Sequence, residues 1–416
     1  MNIRLPGRAN LNNPFTALRH PNFRYYSIGM MVSLIGTWMQ NIAQPWLAYT
    51  LTRSPFLLSL IGALQFLPLL LFSLFAGVII DKYPKKNILI FTQSASMVIT
   101  LFLAILVWTG QIRYWHILVL ATLVGFVNTL DMPARQSFVI EMVGKGDLMN
   151  AIALNSTVFN LSRVIGPALA GIVMAYAGIA ACFFINAFSF AAVLVSLFFI
   201  KPITVTQVVQ PVIKMTAAIK EGVRYILDRK VLKDTLLAVA IVSTFAMNYN
   251  VLVPVFAKEV LNQQETGFGF LMSFMGIGSL LGAIFIAATS HSGPKRYVLT
   301  IFPLCVGAFL IMNGLVSTFV FAAIFLMLSG FCFVAFASNA NSILQLNSSN
   351  QYRGRVMSIY SLIFGGSTPL GNLYAGAIAE KAGAAAGFLA CGAIILVLMV
   401  VLLIYYGKNN GKDKMD

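Results

Sequence analysis

Apolar runs of roughly 20 residues, long enough for a helix to cross a ~30 Å hydrocarbon layer, recur along almost the whole chain between short polar stretches. In the first half the pattern predicts spans at Tyr25–Tyr49, Phe56–Ile80, Ile88–Trp108, Trp115–Leu130, Ala151–Ala175 and Ile179–Ile200. In the second half it predicts Leu236–Phe256, Phe268–Ala288, Val298–Val316, Phe319–Ala340, Met357–Ile378 and Phe388–Tyr406. An all-α membrane protein with twelve transmembrane helices is expected. The first run follows a polar stretch, is too long for a signal-peptide core and has no small-residue cleavage site after it. It is therefore read as a true span, and the mature chain as the whole chain.

One long polar segment, residues 201–233, separates six spans from six. Within it, "MTAAIKEGVRYILDRK" alternates apolar and basic positions at helical spacing, which predicts a helix lying on the inner membrane surface. Repetition at half-chain distance supports the division. "NIAQP" at Asn41 has a counterpart in "NVLVP" at Asn250, displaced by 209 residues, and "PKK" at Pro84 matches "PKR" at Pro294, displaced by 210. Two agreeing offsets predict a duplicated architecture. Residues 1–200 form an N-terminal six-helix bundle, 201–233 a cytoplasmic linker with an amphipathic helix, and 234–416 a C-terminal six-helix bundle. Parallel halves related by an axis along the membrane normal, with a site between them, are a transporter architecture.

Composition agrees. Of 416 residues, 59% are hydrophobic and 10% charged, with mean hydropathy +0.86, which excludes a chain of soluble domains. The net charge of +16 changes the picture only once its distribution is read. Four of the Lys and Arg residues, Arg53, Arg113, Lys258 and Lys381, fall in outer loops, and Arg163 lies inside a span; the rest occupy inner segments. The positive-inside rule then places both termini in the cytoplasm and the protein in the cell inner (cytoplasmic) membrane, with no nucleic-acid partner. Cys182, Cys305, Cys332 and Cys391 lie in or beside spans without CxxC spacing, and His20, His116 and His291 are scattered, so no metal site or cofactor is expected. Neither a GxxxxGK[ST] loop nor an acid/base cluster facing one membrane surface is present. Neither ATP hydrolysis nor enzyme chemistry on lipid-linked substrates is supported.

Asp81 ends the second span, where its own helix dipole repels it. It is read either as a solvated loop acid or as one half of an inner latch whose partner comes from another helix N-terminus, or from Arg135, Arg353 or Arg355. "DMPAR" sets Asp131 and Arg135 four apart, on one face of a helix if Pro133 only kinks it. Asp131 is the deepest acid in the chain, and an ionisable group at that depth is a functional hypothesis. Two readings stand: a proton acceptor released when Arg135 lets go, or a static intrahelical pair. Glu141 is the next proton-coupling candidate. Candidate cavity residues are the polar interruptions Gln40, Asn41, Gln44, Asn128, Asn155, Asn160, Asn248, Tyr249, Asn250, Asn339, Asn341, Tyr360 and Asn372. Neutral amides of this kind either bind a polar cargo or join helices. Trp38, Trp46 and the many Phe and Met residues are candidates for an adaptable apolar lining.

Gly77, Asp81, Lys82, Lys85 and Lys86 resemble the loop-2/3 signature of the major facilitator superfamily, with Pro84 where many members have Gly. The resemblance implies the major facilitator fold, with two pseudo-symmetric six-helix halves, and a gating role for those five positions. The second-half counterpart keeps Pro294, Lys295 and Arg296 but lacks the acid. "RVIGPALAG" resembles the span-five motif of exporters that run against protons, which implies a helix bend at Gly166, Pro167 and Gly171. "LRHPNFRYY", "WLAYTLTRSP", "DMPARQSFVIEMV" and "GPALAGIV" followed by "FFINAFSF" resemble the branch of enterobactin-type siderophore exporters and macrolide or multidrug efflux proteins. The arginine usual within span four of drug antiporters is absent, and Arg163 is the candidate buried cation in its place. The resemblance implies a monomeric secondary exporter of amphipathic small molecules that works by alternating access, with proton antiport. A lipid or lysolipid translocator of the same fold is the alternative, and a non-transporting receptor on this fold is a third reading.

Overall fold

The computed structural model describes residues 15–200, 215–289, 293–349 and 351–412; the side chains of Leu74, Val78, Asp81, Lys145, 215–220 and 405–412 lie outside that description. After a short 3-10 helix, Thr16–Arg19, come α1 (Pro21–Thr52), α2 (Pro55–Lys82), α3 (Lys85–Trp108), α4 (Tyr114–Ala177) and α5 (Ile179–Phe199). A linker helix α6 (Met215–Leu227) leads to α7 (Lys230–Ala246), α8 (Tyr249–Glu259), α9 (Glu265–Thr289), α10 (Arg296–Leu315), α11 (Phe319–Leu346) and α12 (Arg353–Lys412).

Two of these are folded-over pairs. Gly144 (φ 67°) turns α4 sharply and Gly383 (φ 83°) does the same in α12, at a positive φ that only a residue without Cβ adopts cheaply. Among the described residues, ten segments are long and apolar enough to span a bilayer. Counting α1 and dividing the last segment at Gly383 is consistent with the twelve spans that the hydropathy pattern predicts. Large apolar side chains such as Phe75, Phe91, Val98, Phe188 and Phe198 are exposed around the outside, where lipid is the solvent.

Three local departures from the sequence pattern have physical causes. The helix of the fourth span runs on past Leu130 as far as Gly144, and Pro133 does not end it. Span seven breaks: α7 stops at Ala246 and α8 begins at Tyr249, while the Asn248 amide bonds the carbonyls of Thr244 (3.1 Å) and Phe245 (3.3 Å) that the break leaves without intrahelical partners. Its repeat partner α1 runs unbroken. The linker helix is docked rather than lying free: Tyr225 stacks on Tyr352 at 4.2 Å, the Ser349 backbone N–H donates to the Tyr225 hydroxyl at 2.9 Å, and Ile226 is buried. Outside the bilayer, the Tyr352 hydroxyl and the Arg355 guanidinium on Glu221 hold that carboxyl below its ordinary range.

Helices α1 to α5 pack on one another, as do α7 to α12, and the two groups meet chiefly through α2 against α12 and α4 against α9. At one end α1 meets α8, where Tyr49 bonds Glu259, a residue 210 positions away. That separation equals the displacement between the sequence repeats, so helix ends beside the pseudo-two-fold axis meet their own counterparts.

Candidate functional site

The end of the bundle that carries α6 is called here the linker end. Asp131, only 6% exposed, projects from the first arm of α4 (Tyr114–Gly144). It accepts from the Thr92 hydroxyl (2.6 Å) and the Gln93 amide (2.8 Å) of α3 and pairs with Arg135 one turn along its own helix. Arg135 also contacts the Met30 sulfur, beside the buried Tyr26 ring. A buried charge needs such a set of donors, because desolvation otherwise costs several kcal/mol per ion. Thr92 and Gln93 went unnoticed in the sequence. The signal was there, as adjacent polar residues inside the apolar run of α3.

Among the described residues, the other ion pairs at this end do not join the two helix groups. Lys85 pairs with Glu141 at 3.7 Å, His20 with Asp147 at 2.7 Å, and Arg355 with Glu221 at 2.6 Å. Lys86 bonds the Ile200 carbonyl at 2.8 Å, where a cation complements a helix C-terminus. Arg353 bonds the Gln345 carbonyl at 3.1 Å, and Lys82 lies over the Tyr83 ring. Asp81 sits at the C-terminal end of α2, and its side chain lies outside the described residues. The three arginines considered as its partners each have another contact in this conformation.

The far end is arranged differently: its contacts join the two groups. The Trp46 indole donates to Glu265 at 3.0 Å, the Tyr49 hydroxyl donates to Glu259, and Lys258 lies over the Trp46 ring at 5.2 Å. Glu380, from α12, accepts from the Ser54 hydroxyl (2.7 Å) and the Phe56 backbone N–H (3.1 Å). A carboxylate of one group thus caps a helix N-terminus of the other, where unsatisfied N–H groups and the helix dipole favour negative charge. Glu380→Ala is expected to loosen the far end. A single cysteine placed at Ser59 should then react faster with a membrane-impermeant maleimide, by severalfold, without loss of folded protein.

Gly166, Pro167 and Gly171 serve packing. A Cβ on Gly166 would lie 2.4 Å from the Trp38 Cβ, and Gly171 abuts Gly269 and the Glu265 carbonyl across the seam. The Ser273 hydroxyl bonds the Val164 carbonyl at 2.8 Å and Thr266 reaches the Gly171 carbonyl. Helical backbone continues through Pro167.

Between the groups, toward the far end, lies a cleft that is continuous with open space. Asn41, Gln44 and Asn250 line it, with Gln65, Phe66, Met247, Thr368 and Asn372. Of these, Gln65 and Thr368 escaped the sequence reading, which offered Phe and Met residues as apolar lining only collectively.

The remaining candidates sit elsewhere. Gln40 is bound by Asn186 (2.6 Å) and Thr100 (3.2 Å) and ties α1 to α5 and α3. Asn339 clasps the backbone N–H (2.9 Å) and carbonyl (3.0 Å) of Lys295, which fixes the entry to α10. Asn248 stabilises the helix break, Tyr249 bonds Ser329 at 2.6 Å, and Asn160 bonds the Ser156 carbonyl at 2.8 Å. Asn128 is exposed and Asn155 half-buried. Tyr360 and Asn341 line a separate, more open cleft. Arg163, half-buried at mid-depth in the second arm of α4, faces Trp38 at 5.8 Å.

Residues 12–414 match a family model described as transmembrane secretion effector. The chain is 25% identical over 403 residues to the staphyloferrin A transporter of Staphylococcus aureus, covering 94% of this chain and 98% of that one. It is 25% identical over 375 residues to the multidrug efflux pump Tap of Mycolicibacterium fortuitum (88% and 91% covered). It is 20% identical over 383 residues to macrolide efflux protein A of Streptococcus pyogenes (91% and 95% covered). Among solved structures, the D323A mutant of the nucleoside transporter NupG superposes with a TM-score of 0.73 at 12% identity, covering 92% of this chain and 99% of that one. A bacterial homolog of the human lysosomal transporter Spinster gives 0.70 at 13% identity, with 94% and 95% covered. A seam between two helix groups, a cleft along it and a match over nearly the whole length make this chain a multi-pass membrane transporter, not an enzyme, of the transmembrane secretion effector family within the major facilitator superfamily.

Proposed function

We propose that the chain exports amphipathic small molecules, of drug or siderophore type, by alternating access in exchange for protons. One observation carries the reading: the seam is asymmetric. Among the described residues, the hydrogen bonds that join the two groups run from mid-depth, at Ser273 and Val164, to the far end, whereas none of the ion pairs at the linker end joins the two groups. This is the contact pattern of a carrier open toward the linker end. The positive-inside distribution supports the reading that this end faces the cytoplasm and that the membrane is the cell's inner membrane. The names of the efflux relatives point the same way for direction and cargo class.

In this reading residues 1–200 and 234–416 rock as two bundles joined by residues 201–233, as a monomer, and cargo binds at the cleft lined by Asn41, Gln44 and Asn250. Closure at the linker end brings Gly77, Asp81, Lys82, Lys85, Lys86 and Arg135 against α11 and α12, near Arg353 and Arg355. Gly77 fits a surface that is covered in the other state, since a Cβ there would meet nothing within 4 Å in this one. Asp131 is the proton carrier, with Glu141 as a peripheral relay. A proton on Asp131 leaves the Arg135 charge unbalanced, so protonation and rearrangement of the gate are coupled.

The test is proton flux in proteoliposomes holding purified protein, challenged with siderophores, macrolides and cationic dyes, alongside Asp131→Asn. Cargo-dependent proton movement in the native protein, reduced by at least about tenfold in the variant, is the expected result for a general acid/base group. Equal cargo movement in both without a gradient removes the proton role and favours a uniporter or lipid translocator.

A further inference from the structure

Among the described residues, Arg163 is a charge without a counter-charge. It stands at mid-depth in the second arm of α4 (Gly146–Ala177), where that arm packs on α9: a Cβ on Gly276 would lie 2.7 Å from the Arg163 carbonyl. No carboxylate among the described residues lies within ion-pair distance of its guanidinium. The Nε is shut off from solvent and makes no hydrogen bond. The guanidinium lies over the Trp38 ring, 5.8 Å from its centroid, and Phe159, one turn back on α4, packs edge-on to the same ring at 5.6 Å.

A cation–π contact compensates an arginine only in part. The Nε donor of its planar fork is left without a hydrogen bond, in a part of the molecule where isolated charge is expensive. Acids could have been placed beside it, as one is beside Arg135 and another beside Arg355. Here the chain supplies aromatic faces instead. An uncompensated guanidinium with an aromatic wall, lying between the two moving groups, fits a ligand that brings the missing charge and an apolar body together.

From this geometry we infer that Arg163, Trp38 and Phe159 form a recognition site for amphipathic organic anions, carboxylates or sulfonates carried on an aromatic or apolar body. The inference rests on the exporter reading for the direction of travel and narrows its cargo class. It assigns Arg163 to cargo binding rather than to holding the helices together. Two consequences of opposite sign follow. Removing the charge weakens anion binding, and it leaves the empty protein no less stable, because a desolvated charge has been removed and no partner orphaned.

The probes are 1-anilinonaphthalene-8-sulfonate and its uncharged relative N-phenyl-1-naphthylamine. Binding is measured by probe fluorescence on the purified full-length protein in lipid nanodiscs, with empty discs subtracted. Arg163→Gln is expected to weaken the sulfonate by about tenfold or more, the worth of a charge-assisted hydrogen bond, and to leave the neutral probe within about twofold. Arg163→Lys keeps the charge without the fork and should fall between. The thermal midpoint of ligand-free Arg163→Gln is expected to equal or exceed that of the native protein. Equal losses for both probes, sulfonate binding indifferent to Arg163, or a clear fall in the ligand-free midpoint would each overturn the inference. Dye efflux in cells separates it from the broader reading. Efflux of a cationic dye with no Arg163-dependent sulfonate binding removes the anion site and leaves export standing. Arg163-dependent sulfonate binding without any efflux does the reverse.

Discussion

Arg135→Gln is expected to be among the most destabilising polar substitutions in this protein, costing about 3–5 kcal/mol, because it leaves a buried carboxylate without its cation. Asp131 is 6% exposed and would keep only the Thr92 and Gln93 donors, both neutral. Asp131→Asn should cost less. The guanidinium it orphans still faces the Met30 sulfur and the Tyr26 ring, and Asn keeps an acceptor for Thr92. The double variant Asp131→Asn, Arg135→Gln is the informative one. If the two residues act as a unit, its loss is smaller than the sum of the single losses, by a coupling energy of about 0.5–3 kcal/mol. Denaturant titrations of the three variants in detergent supply the cycle. Strict additivity would show that the pair is incidental, and with it would go the argument that protonating Asp131 must rearrange Arg135.

The sequence reading reached this pair because everything it needed was local: an i, i+4 spacing and the absence of other acids at that depth. Apolar runs likewise placed the spans, since a 20-residue hydrophobic segment has one stable disposition in a bilayer. The far-end latch was not legible. Trp46 and Glu265 are 219 residues apart and Ser54 and Glu380 are 326 apart, and each acid, read alone, is an ordinary loop carboxylate. Cavity amides are hard to assign for a related reason. An Asn or Gln in a span announces a need for hydrogen bonds, and composition cannot say whether cargo or a neighbouring helix meets it. Gln40 is satisfied by Asn186 and Thr100, and Asn339 by the Lys295 backbone, while Asn41, one residue from Gln40, turns to the cleft. A helix rotates 100° per residue, so adjacent amides face different surroundings.

Gly278→Leu should abolish folded protein, and Gly278→Ala should already be costly. A Cβ built on Gly278 of α9 falls 1.8 Å from the Met327 carbonyl oxygen and 2.6 Å from its carbon on α11. The obstacle is backbone, which cannot swing aside as a side chain can. Gly282 meets the Phe331 carbonyl at 2.4 Å one turn further along, so the two helices cross at the closest approach their backbones permit. In lipid no hydrophobic force holds such helices together; van der Waals packing at close range and weak Cα–H···O contacts do. Forcing α9 and α11 apart by even an ångström forfeits much of that attraction along the whole crossing. The cost expected for Ala is about 1–3 kcal/mol, the usual range for overpacking, and the longer side chain cannot be accommodated by any rotamer. Gly77→Ala is the control. It sits in helix with nothing within 4 Å of the new methyl, so helix propensity alone should leave folded yield and thermal midpoint unchanged or slightly raised. Size-exclusion profiles and thermal midpoints of the three variants decide the matter. Native-like behaviour of Gly278→Leu would mean that α9 and α11 do not cross this closely in the membrane.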